Sequence, residues 1–466
     1  MITLHPHQDD GIARLRASIL VNQSVLFRAE TGFGKTVCAA FVALGCYKNR
    51  VPFWFICHRR ELVEQTAMTF NSIGVPSGLI MAGQHYDPTV KTQIVSIDSL
   101  KNRWDRVVMP KYVIIDECHH SVSASWLAAI NNLKSYGVKI IGLTATPWRQ
   151  NGEGFRHIFD DMVDTVDTAW LIDNGYLSNY RVFCPFTPDV SKMGLMAGEF
   201  ATGAVEHVMG DAKLMGCAVE NWLKYAANKR TIGFAPSIAM SQNMVEMFRA
   251  NGIKAAHLDG ETDKNDRRQI IRDYANGDLQ VLWNVNLFAE GFDLSAIAGR
   301  DVPIEALIQY RPTMSLAMHR QQVGRALRPK PEPAIILDHA GNTERHGFQD
   351  DPIVWSLDGQ GKRKKTDTVD SFKLCPQCLA SHRPANNCPE CGYAYPQAEV
   401  KPIEIIDGIL TEVTRQSMPR PTADELRIMV DACKTYGELL QIEKRYGYKH
   451  GWAWKISRNR IIKGKP

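Results

Sequence analysis

The amino-acid sequence alternates short β-rich runs with segments of helical apolar spacing, and it does so in two separate rounds. The first round extends from Ser24 to about Leu143, and the second begins near Lys229. Because strands that alternate with helices form mostly parallel sheets covered by helices on both faces, each round predicts one α/β unit. The less regular stretch between about Gly152 and Asn228 is expected to join the two units.

The chain is long enough for two or three domains, and its composition is that of a globular protein. It has 466 residues, of which 44% are hydrophobic and 23% are charged. The sequence contains no apolar run long enough for a membrane span and no pattern of a secretory signal at its start. The 55 Lys and Arg residues against 50 Asp and Glu give a mild basic excess, which permits nucleic-acid binding without requiring it.

The string AETGFGKT at 29–36, here called the phosphate loop, joins a strand-like run to a helical pattern. Backbone N–H groups of a Gly-containing turn, together with a helix N-terminus, form a cradle for phosphates. In such a loop Lys35 reaches the β- and γ-phosphates and the Thr36 hydroxyl binds Mg²⁺. Ala29 stands where the general pattern has Gly, and a chance Gly-rich turn is the alternative. The other expected nucleotide-binding residues of the loop are Thr31, Gly32 and Gly34.

The string KYVIIDECHH at 111–120 ends an apolar strand-like run with charged residues. Such a run delivers Asp116 and Glu117 to the carboxyl end of the strand, where α/β sheets bind their ligands. Asp116 suits Mg²⁺ binding, and Glu117 suits the general base that orients and deprotonates the attacking water. His119 is expected to couple the nucleotide site to its neighbours. A zinc site is the alternative, disfavoured because adjacent histidines point apart.

The string GLTATPWR at 142–149 closes another strand-like run. Two hydroxyls, on Thr144 and Thr146, stand ahead of a proline that ends the run. They fit a relay between a nucleotide site and a polynucleotide site, although this string alone is a weak signal.

The string HRQQVGRALRP at 319–329 carries two arginines on one helical face, because Arg325 and Arg328 are three residues apart. Phosphoryl transfer needs positive charge on the γ-phosphate, and an arginine from a facing lobe can supply it. Hydrolysis is then competent only when the cleft closes. A helix surface with solvated arginines is the alternative.

Four of the eleven cysteines form two tight pairs in the pattern CPQC-x9-CPEC. Two such knuckles bring four thiolates together on Zn²⁺, which predicts a zinc ribbon, with a redox pair or disulfides as alternatives. A unit this small has no core of its own, so the metal is expected to hold it together. Contact with nucleic acid and packing against the rest of the chain both stay open for the ribbon. The predicted zinc ligands are Cys375, Cys378, Cys388 and Cys391.

In this order and spacing the motifs resemble those of superfamily 2 helicases of the DExH type, and most closely the RadD-like bacterial and phage members. The resemblance covers about residues 1–345 and includes HLDGETDKNDRR, NVNLFAEGFDLS and ILDHAGN. It departs at His5-Pro6-His7, where the family usually has Arg-Pro-Tyr, and at Asp98, where Gln is common. The resemblance implies further site residues: Gln8 for reading adenine, Arg59 and Arg60 for tracking the strand backbone, Gly291 and Asp293 for bridging the nucleotide and polynucleotide sites, and Gln321 with Arg325 and Arg328 for the final motif.

The resemblance implies an α/β fold of two tandem RecA-like parallel-sheet lobes, and the cysteine spacing and a C-terminal helical pattern add a small zinc ribbon and a C-terminal helical region. The expected boundaries are 1–180 for the first lobe, 181–345 for the second lobe, 346–370 for a linker, 371–396 for the ribbon and 397–466 for the C-terminal helical and basic region.

The function implied is that of an ATP-dependent DNA helicase or translocase in repair, recombination or replication, with ATP, Mg²⁺ and Zn²⁺ as cofactors. Its track is expected to be single-stranded or branched DNA, and a single-stranded-DNA-binding protein or a recombinase are the expected protein partners. We expect a cytoplasmic location, in a bacterial cell or a phage-infected host. The alternatives are a duplex translocase or branch-migration motor without strand separation, an RNA remodelling ATPase, and a DNA-binding scaffold with a relic nucleotide site.

Overall fold

The computed structural model divides the chain into two compact units, Met1–Pro396 and Gln397–Pro466, which are described one at a time. The residues that the structure describes are 3–57, 60–100, 103–120, 123–149, 152–184, 188, 193–196, 199–285, 287–288, 294–359, 372–396, 421–433, 435–446, 448–449 and 451–458. Within these ranges, no helix has both the length and the apolar character needed to cross a bilayer.

The first lobe of unit 1 is built on a seven-stranded parallel sheet in the order β3-β4-β2-β5-β6-β1-β7. Its central strands are buried on both faces, which explains their nearly continuous apolar sequences, such as FWFIC. The strands are β1 Ser24–Arg28, β2 Phe53–Cys57, β3 Gly78–Ile80, β4 Thr92–Ser96, β5 Tyr112–Ile115, β6 Lys139–Thr144 and β7 Asp161–Asp164.

Helices cover this sheet and lead into or out of its strands. The first helix begins at Pro6, a residue favoured in the first helical turn, and His5 and Gln8 form a capping box at its start. The helices of lobe 1 are α1 Pro6–Val21, α2 Lys35–Lys48, α3 Arg60–Ser72, α4 Ile97–Leu100, α5 Ala124–Ser135 and α6 Thr168–Asp173, with 3-10 turns at Trp104–Arg106 and Cys118–His120.

The second lobe of unit 1 is built on an eight-stranded sheet in the order β12-β13-β11-β14-β15-β8-β17-β16. Its first six strands are parallel, and the last two are antiparallel additions. The strands are β8 Tyr180–Phe183, β11 Thr231–Phe234, β12 Ala255–Leu258, β13 Val281–Asn284, β14 Ala306–Gln309, β15 Ala334–Asp338, β16 Lys373–Leu374 and β17 Ala380–His382, and β9 Leu195–Met196 pairs separately with β10 Glu199–Phe200. The helices of lobe 2 are α7 Thr202–Met209, α8 Ala212–Tyr225, α9 Ile238–Ala250, α10 Lys264–Asn276, α11 Leu294–Ala298, α12 Leu316–Ala326 and α13 Asn342–His346.

The cysteine ribbon (residues 372–396) is part of the second lobe's sheet, because β17 pairs antiparallel with β8. Cys375 and Cys388 are buried in the same apolar cluster as the lobe's core residues, and the Tyr225 hydroxyl donates to the Cys378 carbonyl at 2.8 Å. Of the two possibilities left open for the ribbon, packing against the rest of the chain is therefore observed, and the metal's part in holding the ribbon together stays a prediction.

Residues 349–359, here called the strap, lead from lobe 2 back to lobe 1. Leu357 is buried in the apolar core of lobe 1, and the Trp148 indole donates to the Ser356 carbonyl at 2.7 Å. Gly359 forms an antiparallel bridge with Glu153. The expected linker at 346–370 is described as far as Gly359: Asp350 and Asp351 contact lobe 2, and the end of the described part packs against lobe 1.

Unit 2 contains three helices, α14 Ala423–Ala432, α15 Tyr436–Arg445 and α16 Trp452–Arg458. Val430, Leu439 and Ala453 are buried where these helices meet. The structure confirms the fold class predicted from the sequence: two parallel-sheet lobes, a four-cysteine cluster and a C-terminal helical region.

Candidate nucleotide site between the two lobes

The phosphate loop follows β1 and turns into α2 at its last residues. Gly32 has φ +89° and Gly34 has φ +92°, a region that favours glycine, and Gly34 is the N-cap of α2. The Lys35 amine donates to the Ala29 carbonyl at 3.1 Å and to the Glu30 carbonyl at 3.4 Å. The local sequence therefore folds into a loop whose lysine lies along it and whose helix N-terminus faces the same space.

Gln8 lies directly behind the phosphate loop. Its side-chain amide donates to the Phe33 carbonyl at 2.7 Å and accepts from the His5 N–H at 2.9 Å. His7 packs beside it against an aromatic group that includes Trp170 and Tyr176, with the His7 and Tyr176 rings 4.2 Å apart. In this structure Gln8 thus braces the loop, while its expected contact with adenine stays a prediction.

Asp116 and Glu117 follow β5 at the carboxyl edge of the sheet, next to the phosphate loop. The Asp116 N–H donates to the Ile56 carbonyl, and its carboxylate accepts from the Glu117 N–H at 3.1 Å. Burial and the neighbouring Glu117 raise the pKa of Asp116 to about 7, although Lys35 opposes this effect. Glu117 has φ +44°, a conformation that is uncommon for a residue with a Cβ atom and is concentrated at functional sites.

His119 connects Glu117 to the segment GLTATPWR at the end of β6. Its Nδ1 lies 3.4 Å from a Glu117 carboxylate oxygen and 3.3 Å from the Thr144 hydroxyl. Thr144 in turn donates to the Thr146 carbonyl at 3.0 Å and accepts from the Thr146 N–H at 3.1 Å. The structure therefore brings these four predicted residues into one network.

Helix α12 of lobe 2 packs directly against the phosphate loop of lobe 1. A Cβ atom placed on Gly324 would lie 2.6 Å from the Thr31 methyl group, so the backbone of α12 packs closely against the Thr31 side chain of the phosphate loop. Gln321 and Arg325 belong to this helix, and Gln321 is buried. Arg328 lies beyond the helix end, 3.4 Å from the Ser295 hydroxyl of lobe 2.

Several expected site residues fall outside the described residues. These are Arg59, Gly291 and Asp293, while for Arg60 only its place at the start of α3 is described.

Sequence reasoning missed a buried charge cluster at this interface. Glu30 of the phosphate loop accepts from Arg28, which pairs with Asp164 at 3.0 Å, and from Arg320 of α12 at 3.3 Å. Trp355 of the strap lies over Arg28, with 4.9 Å between its ring centroid and the guanidinium carbon. An acidic residue inside a phosphate-binding string was the one available signal for this cluster.

The four ribbon cysteines have the geometry of a metal site. Their sulfur atoms all lie within 4.8 Å of one another, with Cys375 and Cys391 at 3.6 Å and Cys378 and Cys388 at 3.7 Å. A tetrahedral zinc with bonds of 2.3 Å places its sulfurs about 3.8 Å apart. The donor set therefore fits Zn²⁺, and the metal would cross-link the two knuckles.

Lobe 1 carries the phosphate loop and the acidic pair, and lobe 2 carries the arginine helix that faces them. This arrangement defines a helicase-type ATPase. The family model for the Type III restriction enzyme res subunit matches residues 1–149, and that for the helicase conserved C-terminal domain matches residues 215–330. The chain is thus a superfamily 2 helicase, a class of nucleic-acid-dependent ATPases.

The chain is similar over most of its length to a 51.5 kDa protein of a Lactococcus phage, with 28% identity over 95% of this chain and 90% of that protein. It is 25% identical to IRC3, a candidate ATP-dependent helicase of Saccharomyces cerevisiae, over 59% of this chain and 40% of that protein. The chain therefore spans less than half of the yeast relative.

Solved structures show the same fold at low sequence identity. The Type ISP restriction-modification enzyme LlaBIII bound to DNA matches with a TM-score of 0.52 and 15% identity, over 72% of this chain and 27% of that one. The DUF1998 helicase MrfA bound to DNA matches with a TM-score of 0.51 and 18% identity, over 72% of this chain and 49% of that one.

Proposed function

We propose that the chain is an ATP-dependent DNA helicase or translocase that acts on single-stranded or branched DNA. The observation that supports this most is the contact between the phosphate loop and α12, because it places the arginine helix of one lobe at the phosphate site of the other. A RadD-like role in DNA repair, recombination or replication is part of the proposal.

The residues of the cleft divide the chemistry among themselves. Lys35 binds the β- and γ-phosphates, and Thr36 and Asp116 would hold Mg²⁺, which supplies positive charge to the phosphate oxygens. Glu117 orients and deprotonates the attacking water. Arg325 and Arg328 stabilise the charge of the transferring phosphoryl group when the lobes close.

The network from Glu117 through His119 and Thr144 to Thr146 supports a link between hydrolysis and movement. The Thr146 hydroxyl is buried and has no hydrogen-bond partner within the described residues. A buried hydroxyl without a partner is unfavourable, so this segment would gain a hydrogen bond by shifting. Because Thr144 and His119 link the segment to Glu117, such a shift changes the surroundings of the general base. Nucleic acid that moves the β6 segment would thereby alter the rate of hydrolysis.

DNA is proposed as the track because two proteins of the same fold, LlaBIII and MrfA, were solved bound to DNA. Arg59, Arg60, Gly291 and Asp293 are proposed to contact or couple to it. An RNA track and a duplex translocase that leaves strands paired are the alternatives. Displacement of a third strand without separation of the duplex would identify the translocase.

The base assignment is tested by Glu117→Gln, which keeps the shape of the side chain and removes its basicity. We expect ATP and DNA binding to persist while turnover falls by about 100-fold or more. Glu246→Gln, at an exposed position on α9, is the matched control and should hydrolyse ATP as the wild type does. If Glu117→Gln turns over at the wild-type rate, another residue is the base.

A further inference from the structure

Glu30 and Arg320 form a buried ion pair across the two lobes. Arg320 Nη1 lies 3.3 Å from Glu30 Oε1, and the side chains are 4% and 2% exposed. Glu30 belongs to the phosphate loop and Arg320 to α12. This pair is distinct from the predicted catalytic arginines, Arg325 further along the same helix and Arg328 beyond its end.

The charges of this cluster balance only when the lobes are in contact. Arg28 and Arg320 bring two positive charges, and Glu30 and Asp164 bring two negative charges. If α12 moves away, Arg320 leaves, and one net negative charge remains beside the loop that must bind phosphates. Glu30 would still pair with Arg28, but the uncompensated negative charge would repel phosphates, so separation weakens the affinity of the loop for an anion.

The position of Arg320 is fixed from the strap. Its Nη2 donates to the Asp351 carbonyl at 2.9 Å, and its guanidinium lies over the Trp355 ring at 5.9 Å. The Asp351 carboxylate is in turn held by Arg383 of the ribbon at 2.8 Å. A continuous path of contacts therefore leads from the cysteine ribbon to the phosphate loop.

We propose that Arg320 and Glu30 are a positioning pair that couples closure of the cleft to the phosphate loop, and that the ribbon holds Arg320 in place through Arg383. The inference rests on the proposed function in one respect, that ATP is the ligand of the cleft. The proposal thus gives the ribbon a part in nucleotide binding, in addition to any other contact that the ribbon makes.

The first test is Arg320→Gln, with nucleotide binding measured in the absence of nucleic acid. A non-hydrolysable ATP analogue with Mg²⁺ needs the closed cleft, and we expect its affinity to fall at least about tenfold, because one partner of a buried charge pair is lost. ADP lacks the γ-phosphate that the closed cleft would engage, so we expect its affinity to fall clearly less than that of the analogue. Glu30→Gln also breaks the contact between the lobes but removes a negative charge from beside the loop, so its loss should be smaller, and the double variant should be no worse than Arg320→Gln.

The control is Arg249→Gln, which removes a guanidinium on α9 that donates to the Ala255 carbonyl of β12, within lobe 2. It should bind both nucleotides as the wild type does. Equal losses for ADP and the analogue in Arg320→Gln would indicate general damage to the fold and overturn the proposal, as would unchanged affinities. These binding measurements contain no polymer. A failure of DNA to stimulate hydrolysis would therefore contradict the proposed function but would not affect the binding result for Arg320→Gln.

The second test compares two arginines that contact the ribbon region. Arg383→Ala breaks the contact with Asp351, whereas Arg181→Ala breaks an ion pair between β8 and Glu390 that does not reach the strap. We expect analogue affinity to fall about threefold in the first variant only, as suits a half-exposed pair. Zinc content, measured in both, should be unchanged. Equal behaviour of the two variants would remove the ribbon from the proposal.

Discussion

Replacement of Gly324 by alanine tests the contact between the lobes with a single added methyl group. The new Cβ atom would lie 2.6 Å from the Thr31 methyl carbon and 2.7 Å from the Thr31 Cβ, whereas carbon atoms in good contact are about 3.5–4.0 Å apart. Either the α12 backbone or Thr31 must therefore move by about 1 Å. Overpacking of this kind costs about 1–3 kcal/mol, which would lower the closed population about 5- to 150-fold.

The same substitution should not harm the helix that carries it. Alanine is favoured over glycine in a helix interior by about 1 kcal/mol, so α12 itself is stabilised. We expect Gly324→Ala to have near-normal thermal unfolding, while its ATP turnover falls by roughly the factor given above. Gly45→Ala is the matched control, because Gly45 is also helical and a Cβ atom there would meet nothing within 4 Å.

The assay is steady-state ATP hydrolysis with saturating nucleic acid, read together with thermal unfolding for each variant. Thr31→Ser removes the methyl carbon nearest to the new atom and should restore part of the activity of Gly324→Ala. If Gly324→Ala hydrolyses ATP as Gly45→Ala does, the phosphate loop and α12 are not in contact in the active state.

Three further results are expected from other parts of the molecule. Burial lowers the pKa of His339 to about 3, so the folded chain loses stability as pH falls below about 6.5, where the unfolded chain takes up a proton on this residue. In denaturant unfolding, His339→Phe should therefore reduce the loss of stability between pH 7 and pH 5 by about 2 kcal/mol. Cys388→Ser should abolish bound zinc in metal analysis and lower Tm by roughly 5 °C or more, while Cys46→Ser should do neither. Trp148→Phe leaves the Ser356 carbonyl without its donor and should lower the free energy of unfolding by about 1 kcal/mol, and an unchanged denaturation midpoint would show that this bond is not formed.

The elements that the sequence predicted well are those whose signals are local. The phosphate loop is a short strand-turn-helix unit, and its two glycines have the positive φ angles that such a turn needs. The meeting of Glu117, His119 and Thr144 follows from a general rule, because β5 and β6 are neighbours and both end at the same edge of a parallel sheet.

The features that the sequence did not predict depend on contacts between distant segments. The ribbon joins lobe 2 because β17 pairs with β8, nearly 200 residues earlier in the chain, and no local pattern indicates that pairing. Glu30 and Arg320 are likewise 290 residues apart. The strap reads as the start of a charge-rich linker, yet Leu357 is buried in lobe 1 because the chain passes close to Gly154, where a side chain would not fit.

The measurement that tests the central claim most directly is steady-state ATP hydrolysis by the full chain with no polymer, and then with single-stranded DNA, duplex DNA, forked or four-way DNA, and RNA. The proposed function predicts a low rate alone and a marked stimulation by single-stranded or branched DNA, lost in Glu117→Gln. A rate that no polymer changes would contradict the account, since the ATPase would then act with a partner other than nucleic acid.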